Sequence, residues 1–142
     1  MRNRAGSFFA MILFIDTSHE HEIILALVSP GGSGTPIRIP VHFDHGRKLL
    51  PAIQRLLTRK KITPSDLDGV IVVDGPGRFS ALRAGIATAN ALATAAGIPV
   101  AGIVAQNFPK VVAAGLVALR KAKVGHLVIP RYGQEPNITL AK

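Results

Sequence analysis

The start of the chain alternates between short apolar runs and polar turns, a pattern that predicts β-strands. Residues 11–15 and 23–28 are apolar runs separated by a polar stretch, so we expect them to pair as an antiparallel hairpin. Residues 37–41 alternate weakly and predict a third strand. Pro36 and Pro40 favour an edge position for that strand, because proline cannot donate a hydrogen bond to a ladder.

Helical and strand-like patterns then follow each other. Apolar residues at helical spacing predict a helix from about Lys48 to Arg59, and Pro51 means that it either begins near Lys48 or bends in its first turns. A β-branched run at residues 70–73 predicts a strand buried on both faces, followed by an alanine-rich helix at residues 79–96. The remaining pattern predicts a strand, a helix and a short last strand at residues 99–104, 108–123 and 127–129.

This order of elements predicts an α/β domain with a mixed sheet. Three antiparallel strands followed by helix–strand units are typical of the ribonuclease H-like and actin-like ATPase (ASKHA) folds. A length of 142 residues and an apolar content of 48% provide for one core but not for two full domains. We therefore expect residues 1–10 to be a loose extension and residues 11–142 to be a single domain with a C-terminal tail.

The amino-acid composition indicates the cellular compartment of the protein and the classes of partner that it could bind. The chain has no cysteine, which excludes disulfides and thiolate zinc sites and suits the cytoplasm. It has no apolar run of about 18 residues, so no membrane span is expected. A net charge of +9 predicts attraction to nucleic acid or to an acidic protein surface. One Tyr, six Phe and no Trp leave little aromatic surface on which bases could stack.

Two acids at predicted strand ends could carry chemistry. In ribonuclease H-like nucleases, carboxylates at such positions bind Mg²⁺, and here Asp16 and Asp74 would be the pair. Two-metal chemistry usually needs three or four converging carboxylates, and the chain has only eight acids in all. We therefore expect Asp16 to cap the hairpin turn by accepting hydrogen bonds from backbone amides, with a small resolvase-type nuclease as the alternative function.

No other set of residues forms a recognisable catalytic or metal site. The five histidines have no second pair at fixed helical spacing and are expected to be solvated, and neither Ser18 nor Ser80 sits in a nucleophile elbow. Gly75, Pro76 and Gly77 precede a helix but lack the Lys-Ser or Lys-Thr pair of a P-loop, so a tight strand-to-helix turn is expected. The sequence thus predicts no catalytic residue, no metal and no cofactor.

The helix at residues 79–96 has two faces adapted to close contact. One face is apolar, and the other is a stripe of small residues; no charge occurs between Arg83 and Ala96. Burial between the sheet and the first helix would explain this pattern, and so would burial against another subunit. The apolar face comprises Phe79, Leu82, Ile86, Ala89 and Ala93, and the small stripe comprises Ser80, Ala84, Ala87, Ala91 and Ala95.

Four segments together resemble the N-terminal domain of the TsaB (YeaZ) family, which serves the formation of threonylcarbamoyladenosine in tRNA. They read MILFIDTS, HGRKLLPAIQRLL, DLDGVIVVDGPGRFSALRAGIATANALA and GIPVAGI, at residues 11–18, 45–57, 66–93 and 97–103. The most specific part is the signature GPG-x-F-x-x-LR-x-G, which begins at Gly75 and ends at Gly85. Residues 130–139 also look like the C-terminal end of full-length TsaB proteins.

The resemblance implies a non-catalytic scaffold subunit in the cytoplasm. Members of the family pack a two-helix face against a catalytic TsaD-like partner, and the same face supports homodimers. In this chain the matching helices are about Lys48 to Arg59 and Arg78 to Ala96, and tRNA would be contacted indirectly or through the basic surface. The expected solvent-facing interface residues are Leu50, Gln54, Leu57, Arg83, Ala87 and Asn90.

The chain also departs from the family pattern. Family members are longer and have a second domain, most of which we expect to be deleted here. Arg78 stands where Ser is typical, Ser80 where Thr is typical, and Ala81 where Gly is typical. Gly46 and Arg47 replace the usual Ser-Glu of the first helix. These changes fall on the helices that would meet a partner.

Overall fold

The computed structural model describes residues 11–29 and 31–131, which form a five-stranded mixed sheet. The strand order is β3-β2-β1-β4-β5, with β1, β2 and β3 antiparallel and with β1, β4 and β5 parallel. This architecture confirms the predicted fold class. The strands are β1 (Ile12–Asp16), β2 (Glu22–Val28), β3 (Ile37–Pro40), β4 (Gly69–Gly75) and β5 (Val100–Val104). The expected extension at residues 1–10 and the tail from residue 132 onward lie outside the described residues.

Three α-helices cover the two faces of the sheet. One cluster of buried residues joins α1 and α2 to one face, and a second joins α3 to the opposite face. Alternate residues of β1 serve the two clusters: Leu13 and Ile15 face α1 and α2, whereas Ile12 and Phe14 face α3. The helices are α1 (His45–Arg59), α2 (Phe79–Ala96) and α3 (Phe108–Lys121), with a short 3₁₀ turn at Pro64–Asp66.

This layering explains why the strands differ in sequence pattern. Every residue of β1 and β4 is buried because helices cover both faces of these central strands, so both read as continuous apolar runs. By contrast, β3 alternates between half-buried and exposed residues at the edge of the sheet, as its prolines predicted.

The first helix begins earlier than the sequence indicated. It starts at His45 and not at Lys48, so Pro51 lies inside the helix. The expectation that the histidines are solvated is wrong for His45, which is only 3% exposed. Its Nε2 donates a hydrogen bond to the carbonyl oxygen of His19 at 2.7 Å, and this bond replaces the lost hydration.

The predicted last strand is absent from the described part of the chain. Residues 127–129 have no ladder partner, and Leu127 and Ile129 are exposed. The side chain of Asn90 holds this segment instead: its Oδ1 accepts from the amide of Val128 at 2.9 Å, and its Nδ2 donates to the carbonyl of Val128 at 3.0 Å. One side-chain amide thus satisfies the backbone groups that a neighbouring strand would have satisfied.

Within the residues that the structure describes, no helix has both the length and the apolar character needed to cross a membrane.

A close approach between β1 and α2 leads to a test of this packing. A β-carbon on Gly85 would collide with the side chain of Thr17, whose hydroxyl donates a buried hydrogen bond to the carbonyl of Ala81 at 2.8 Å. Gly85→Ala should therefore lower the free energy of unfolding by about 1 to 3 kcal/mol, measured by urea titration of the chain.

Gly46 provides the matched control, because it also lies in a helix. Its β-carbon would only make ordinary contact with Ala84, at 3.6 Å. Gly46→Ala should leave stability unchanged or raise it by up to about 1 kcal/mol, since alanine favours helices over glycine. Equal effects of the two substitutions would contradict the close packing at Gly85.

Candidate functional site

The carboxyl ends of the neighbouring parallel strands β1 and β4 bring two buried acids to one edge of the sheet. Asp16 ends β1 and is 2% exposed, and Asp74 lies near the end of β4 and is 5% exposed. In open α/β sheets this edge is the usual place for a ligand. The contacts of the two carboxylates therefore decide what the edge can do.

Asp16 is engaged by its own turn. Its Oδ1 accepts from the amide of Ser18 at 2.9 Å and from the Ser18 hydroxyl at 2.6 Å. Its Oδ2 lies 3.0 Å from Nε2 of His19. The predicted role as a turn cap is confirmed, and it is the type of bond by which an Asp side chain stabilises a turn.

Asp74 is bound by a residue that sequence analysis did not single out. Arg131 donates from Nε to Oδ1 at 2.9 Å and from a terminal guanidinium nitrogen to Oδ2 at 3.1 Å. The amide of Arg131 also donates to the carbonyl of Asp74 at 2.7 Å. The hydrogen bond that Arg131 donates to the Asp74 carboxylate raises the pKa of Arg131 above its ordinary value, so the guanidinium stays charged. Both oxygens of the Asp74 carboxylate are therefore engaged by a guanidinium.

The described residues contain no group of three or more His, Cys, Asp or Glu side chains placed to hold a metal ion. The two acids predicted as a pair do lie on adjacent strands, but each is satisfied by a separate partner.

The signature turn is packed between two other segments. Gly75 has φ +141°, and a β-carbon there would collide with the carbonyl oxygen of Arg131. A β-carbon on Gly77 would lie 3.0 Å from Cα of Ser18. The glycines, together with Pro76, form the tight strand-to-helix turn that the sequence predicted, and they let the β1 turn and residue 131 approach the end of β4.

A cavity of about 190 Å³ lies between the sheet and the start of α3. It is smaller than the roughly 300 to 1,000 Å³ of typical small-molecule sites. Its one arginine, Arg38, is already bound to Glu22 at 2.7 Å. The lining residues are Phe14, Asp16, His19, Ile24, Arg38, Gln106, Asn107, Phe108 and Val111.

The second helix presents both predicted faces, with one exception. Leu82, Ile86, Ala89 and Ala93 are buried as expected, but Phe79 is 53% exposed. Phe79 is the first residue of α2, and the guanidinium of Arg83 lies 5.1 Å from its ring centroid. In the small stripe, Ala84 is half-buried and faces Gly46 of α1, whereas Ser80, Ala87, Ala91 and Ala95 are exposed.

The six predicted interface residues divide into two groups. Leu50, Gln54, Arg83 and Ala87 are exposed on α1 and α2, which pack against each other. Leu57 does not face solvent, because it is 4% exposed in the core between α1 and the sheet. Asn90 is half-buried, and its amide group binds Val128. The expectation of solvent exposure is wrong for Leu57, and the role of the other residues in a partner interface stays a prediction.

Sequence reasoning also missed a group at the start of both helices. The guanidinium of Arg78, just before α2, lies 4.7 Å from the ring centroid of Phe43, just before α1. Neither residue belongs to a periodic pattern, and Arg78 drew attention only as a departure from the family signature. Arg131 belongs to the segment that resembles the C-terminal end of TsaB proteins, but nothing in that segment indicated a bond to Asp74.

The bond between Arg131 and Asp74 can be tested through stability. Arg131→Ala would leave a carboxylate that is 7% exposed without its partner. Because the Arg131 side chain is 54% exposed, water can replace part of the interaction, and we expect a loss of about 1 to 2 kcal/mol in unfolding free energy. The double variant Asp74→Asn/Arg131→Ala should recover part of this loss in urea titrations. No recovery would mean that Arg131 stabilises the chain by packing alone.

Comparison with known proteins finds one family model and several relatives that match part of the chain. The model of the TsaD family, described as tRNA N6-adenosine threonylcarbamoyltransferase, matches residues 41–106. The tRNA N6-adenosine threonylcarbamoyltransferase of Sorangium cellulosum is 40% identical over 60 residues, which are 42% of this chain and 17% of that protein. An uncharacterized protein of Mycobacterium tuberculosis is 46% identical over 59 residues, which are 42% of this chain and 28% of that protein.

The fold gives the more extensive match. YeaZ from Pseudomonas aeruginosa superimposes with a TM-score of 0.61 at 28% identity, over 67% of this chain and 44% of that chain. The chain thus spans less than half the length of each of these relatives. The expected resemblance is confirmed: over 67% of its length the chain is similar in structure to YeaZ, and residues 41–106 match the TsaD family model.

Proposed function

We propose that this chain is an accessory subunit that binds a TsaD-like partner through α1 and α2 and so promotes threonylcarbamoyladenosine modification of tRNA. The observation that carries the proposal is the outward surface of these two packed helices. It includes Leu50 of α1, which is 45% exposed, and the exposed small residues Ala87 and Ala91 of α2. The reaction is proposed from the similarity to YeaZ and to the TsaD family model.

Close packing of α1 and α2 supports this role. A β-carbon added to Gly46 of α1 would be in ordinary contact with Ala84 of α2, at 3.6 Å, so the two helices touch at this point. The two helices therefore form one continuous surface, and another helix can approach closely over residues as small as alanine. Exposed apolar surface of this kind marks interaction sites on soluble proteins. A second copy of this chain is the alternative occupant of the same surface.

The contacts of the acids agree with an accessory role. Asp16 caps its own turn, and Asp74 is bound by Arg131, so each carboxylate has a structural partner within the chain. On this basis we assign the chemistry to the TsaD-like partner.

Cationic side chains of α1 lie on a different side of the helix from the one that contacts α2. Arg55 and Arg59 lie on the side of α1 that faces β3, where they line a shallow hollow with Ile37 and Ile39. Among the described residues, neither arginine forms an ion pair, and the same holds for Lys60 and Lys61 that follow the helix. Gly46 marks the opposite, α2-facing side of α1. The cationic residues thus lie away from the α2-facing side of α1, although Arg55 and Arg59 share a second hollow with Gln54 of the proposed partner surface.

Ala87 provides the test of the partner surface. Ala87→Trp adds bulk at an exposed position of α2, so the chain should fold normally by circular dichroism. Overpacking an interface costs about 1 to 3 kcal/mol, which corresponds to an affinity loss of about five- to hundred-fold. Co-expression with the TsaD-like protein of the same genome, followed by size-exclusion chromatography and titration, would measure that loss.

The matched control is Ala113→Trp, at an exposed alanine of α3 on the opposite face of the sheet. It should leave association unchanged. If Ala87→Trp unfolds the chain, the small stripe belongs to the intramolecular core; if the variant associates normally, the partner surface lies elsewhere.

The cationic surface should act on tRNA through phosphate contacts. Replacing Arg59, Lys60 and Lys61 with alanine should weaken tRNA binding by the assembled complex and flatten its salt dependence. Each lost phosphate contact should reduce the slope of log affinity against log salt by about 0.9. Fluorescence anisotropy at several salt concentrations would measure both effects.

A triple variant with the same change in charge separates location from net charge. Arg120, Lys121 and Lys123 are exposed at the end of α3, on the other face of the sheet. Their replacement with alanine should have less effect on the salt dependence. Equal slopes for the two triple variants would show that only the net charge matters.

A further inference from the structure

An exposed aromatic ring sits among cations and imidazoles where α1 and α2 begin. Phe43, in the loop between β3 and α1, is 58% exposed. The Arg78 guanidinium lies 4.7 Å from its ring centroid, and the His21 and His42 rings lie at 6.0 and 6.3 Å. We call these four residues the Phe43 patch. The Arg78 guanidinium lies over one face of the phenyl ring, and the His21 ring is inclined by 65° to that ring in an edge-type contact.

The backbone at Phe43 is in a conformation that its side chain disfavours. Its φ of +62° lies in the left-handed region, which glycine and asparagine adopt far more readily than phenylalanine does. The loop is held there by Asp44, whose Oδ1 accepts from the amide of His42 at 2.8 Å. The strain does not serve to bury the ring, because the ring faces solvent. Strain of this kind that is not repaid by packing is typical of a functional position.

The chemistry of the patch matches an unpaired nucleobase. Every base has a flat π face that can stack on an aromatic ring or on a guanidinium plane. The negative charge of Asp44 is countered by Arg47 at 3.1 Å and by Lys48 at 3.8 Å. Because Asp44 is neutralised in this way, the positive charge of Arg78 beside the ring is not cancelled. That charge can attract the phosphate group of the nucleotide whose base stacks on the patch. An apolar protein segment would match this patch less well, because imidazoles and a guanidinium surround its single phenyl ring.

We propose that the Phe43 patch stacks an unpaired base of single-stranded RNA, while cations further along α1 contact the phosphate backbone. The 15 residues of α1 span about 22 Å, so Arg59, Lys60 and Lys61 lie at the far end of this track. The inference deepens the proposed function, since it rests on tRNA as the substrate. Its test needs only this chain and RNA.

The experiment compares two labelled RNAs of equal length: a stem-loop with unpaired loop bases and a fully paired duplex. Phe43→Gly removes the ring and relieves the strain, so the melting temperature should not fall. Affinity for the stem-loop should decrease about five- to hundred-fold, the equivalent of one lost stacking contact. Affinity for the duplex and the salt dependence should not change, because no cation is removed.

Lys61 offers a matched control, because it is the other described residue besides glycine with a positive φ, at +60°. Lys61→Gly relieves similar strain but removes a cation and no ring. It should weaken binding of both RNAs to the same degree and flatten the salt dependence. Phe43→Trp keeps a flat ring and should retain the preference for the stem-loop, whereas Phe43→Leu keeps the bulk and should lose it.

Several results would overturn the inference. Equal losses of stem-loop and duplex binding in Phe43→Gly would assign the patch to phosphate contacts alone. Stem-loop binding by Phe43→Leu at the native level would exclude stacking, even if Phe43→Gly failed to fold. If Phe43→Gly bound RNA at the native level but no longer bound the TsaD-like partner, the patch would be a contact surface for that protein and not for RNA. A failure of Ala87→Trp to weaken the partner complex would instead count against the proposed function and leave the Phe43 patch untouched.

Discussion

The parallel pairing of β1 with β4 is the constraint on which the rest of the molecule depends. Both strands are buried along their whole length, because α1 and α2 cover one face and α3 covers the other. Strands buried on both faces place their polar residues at the ends, where backbone groups leave the ladder. Asp16 and Asp74 are therefore brought to the same edge by the pairing itself. The tight contact of Thr17 with Gly85 then fixes where α2 begins, and with it the position of Arg78.

The edge that results is closed by side-chain contacts within the chain. The β1 turn satisfies Asp16, and Arg131 neutralises Asp74 from a segment far away in the sequence. A similar sheet could present two free acids to a metal. The difference lies in the β1 turn that binds Asp16 and in the guanidinium that binds Asp74, which is carried by a segment that Asn90 anchors by its amide. Among the described residues, the outward surfaces of α1 and α2 and the loop before α1 are open for binding.

The sheet and its two helical layers could be predicted from the sequence because burial leaves a periodic record. Continuous apolar runs marked β1 and β4, and a stripe at helical spacing marked α1 and α2. Contacts made by single residues leave no such record. The bond from Arg131 to Asp74 joins residues 57 apart, and nothing in the local pattern around either residue indicates the other. The same limit explains why Leu57 was wrongly predicted to face solvent. Its burial depends on where the sheet lies relative to α1, which the sequence pattern alone does not indicate.

The Phe43 patch illustrates a different limit. The low aromatic content argued against base stacking when it was counted over the whole chain. The position of one ring matters more than the number of rings, and the left-handed backbone at Phe43 could not be read from its neighbours in sequence. Of the proposed partner surface, the positions on α1 and α2 followed from the family resemblance, but the way in which Asn90 is already occupied did not.

The short edge strand has a consequence for self-association. A sheet edge with free amides and carbonyls invites strands from other molecules, and this is a common route to aggregation. Here β3 is four residues long, ends at Pro40 and carries the exposed Arg38, so an incoming strand would find few donors and a charge in its way. Growth of the sheet by strand addition is thereby discouraged on this side. Another copy or a partner that binds on the β3 side would therefore contact side chains and not the backbone. Side-chain contacts can distinguish one partner from another.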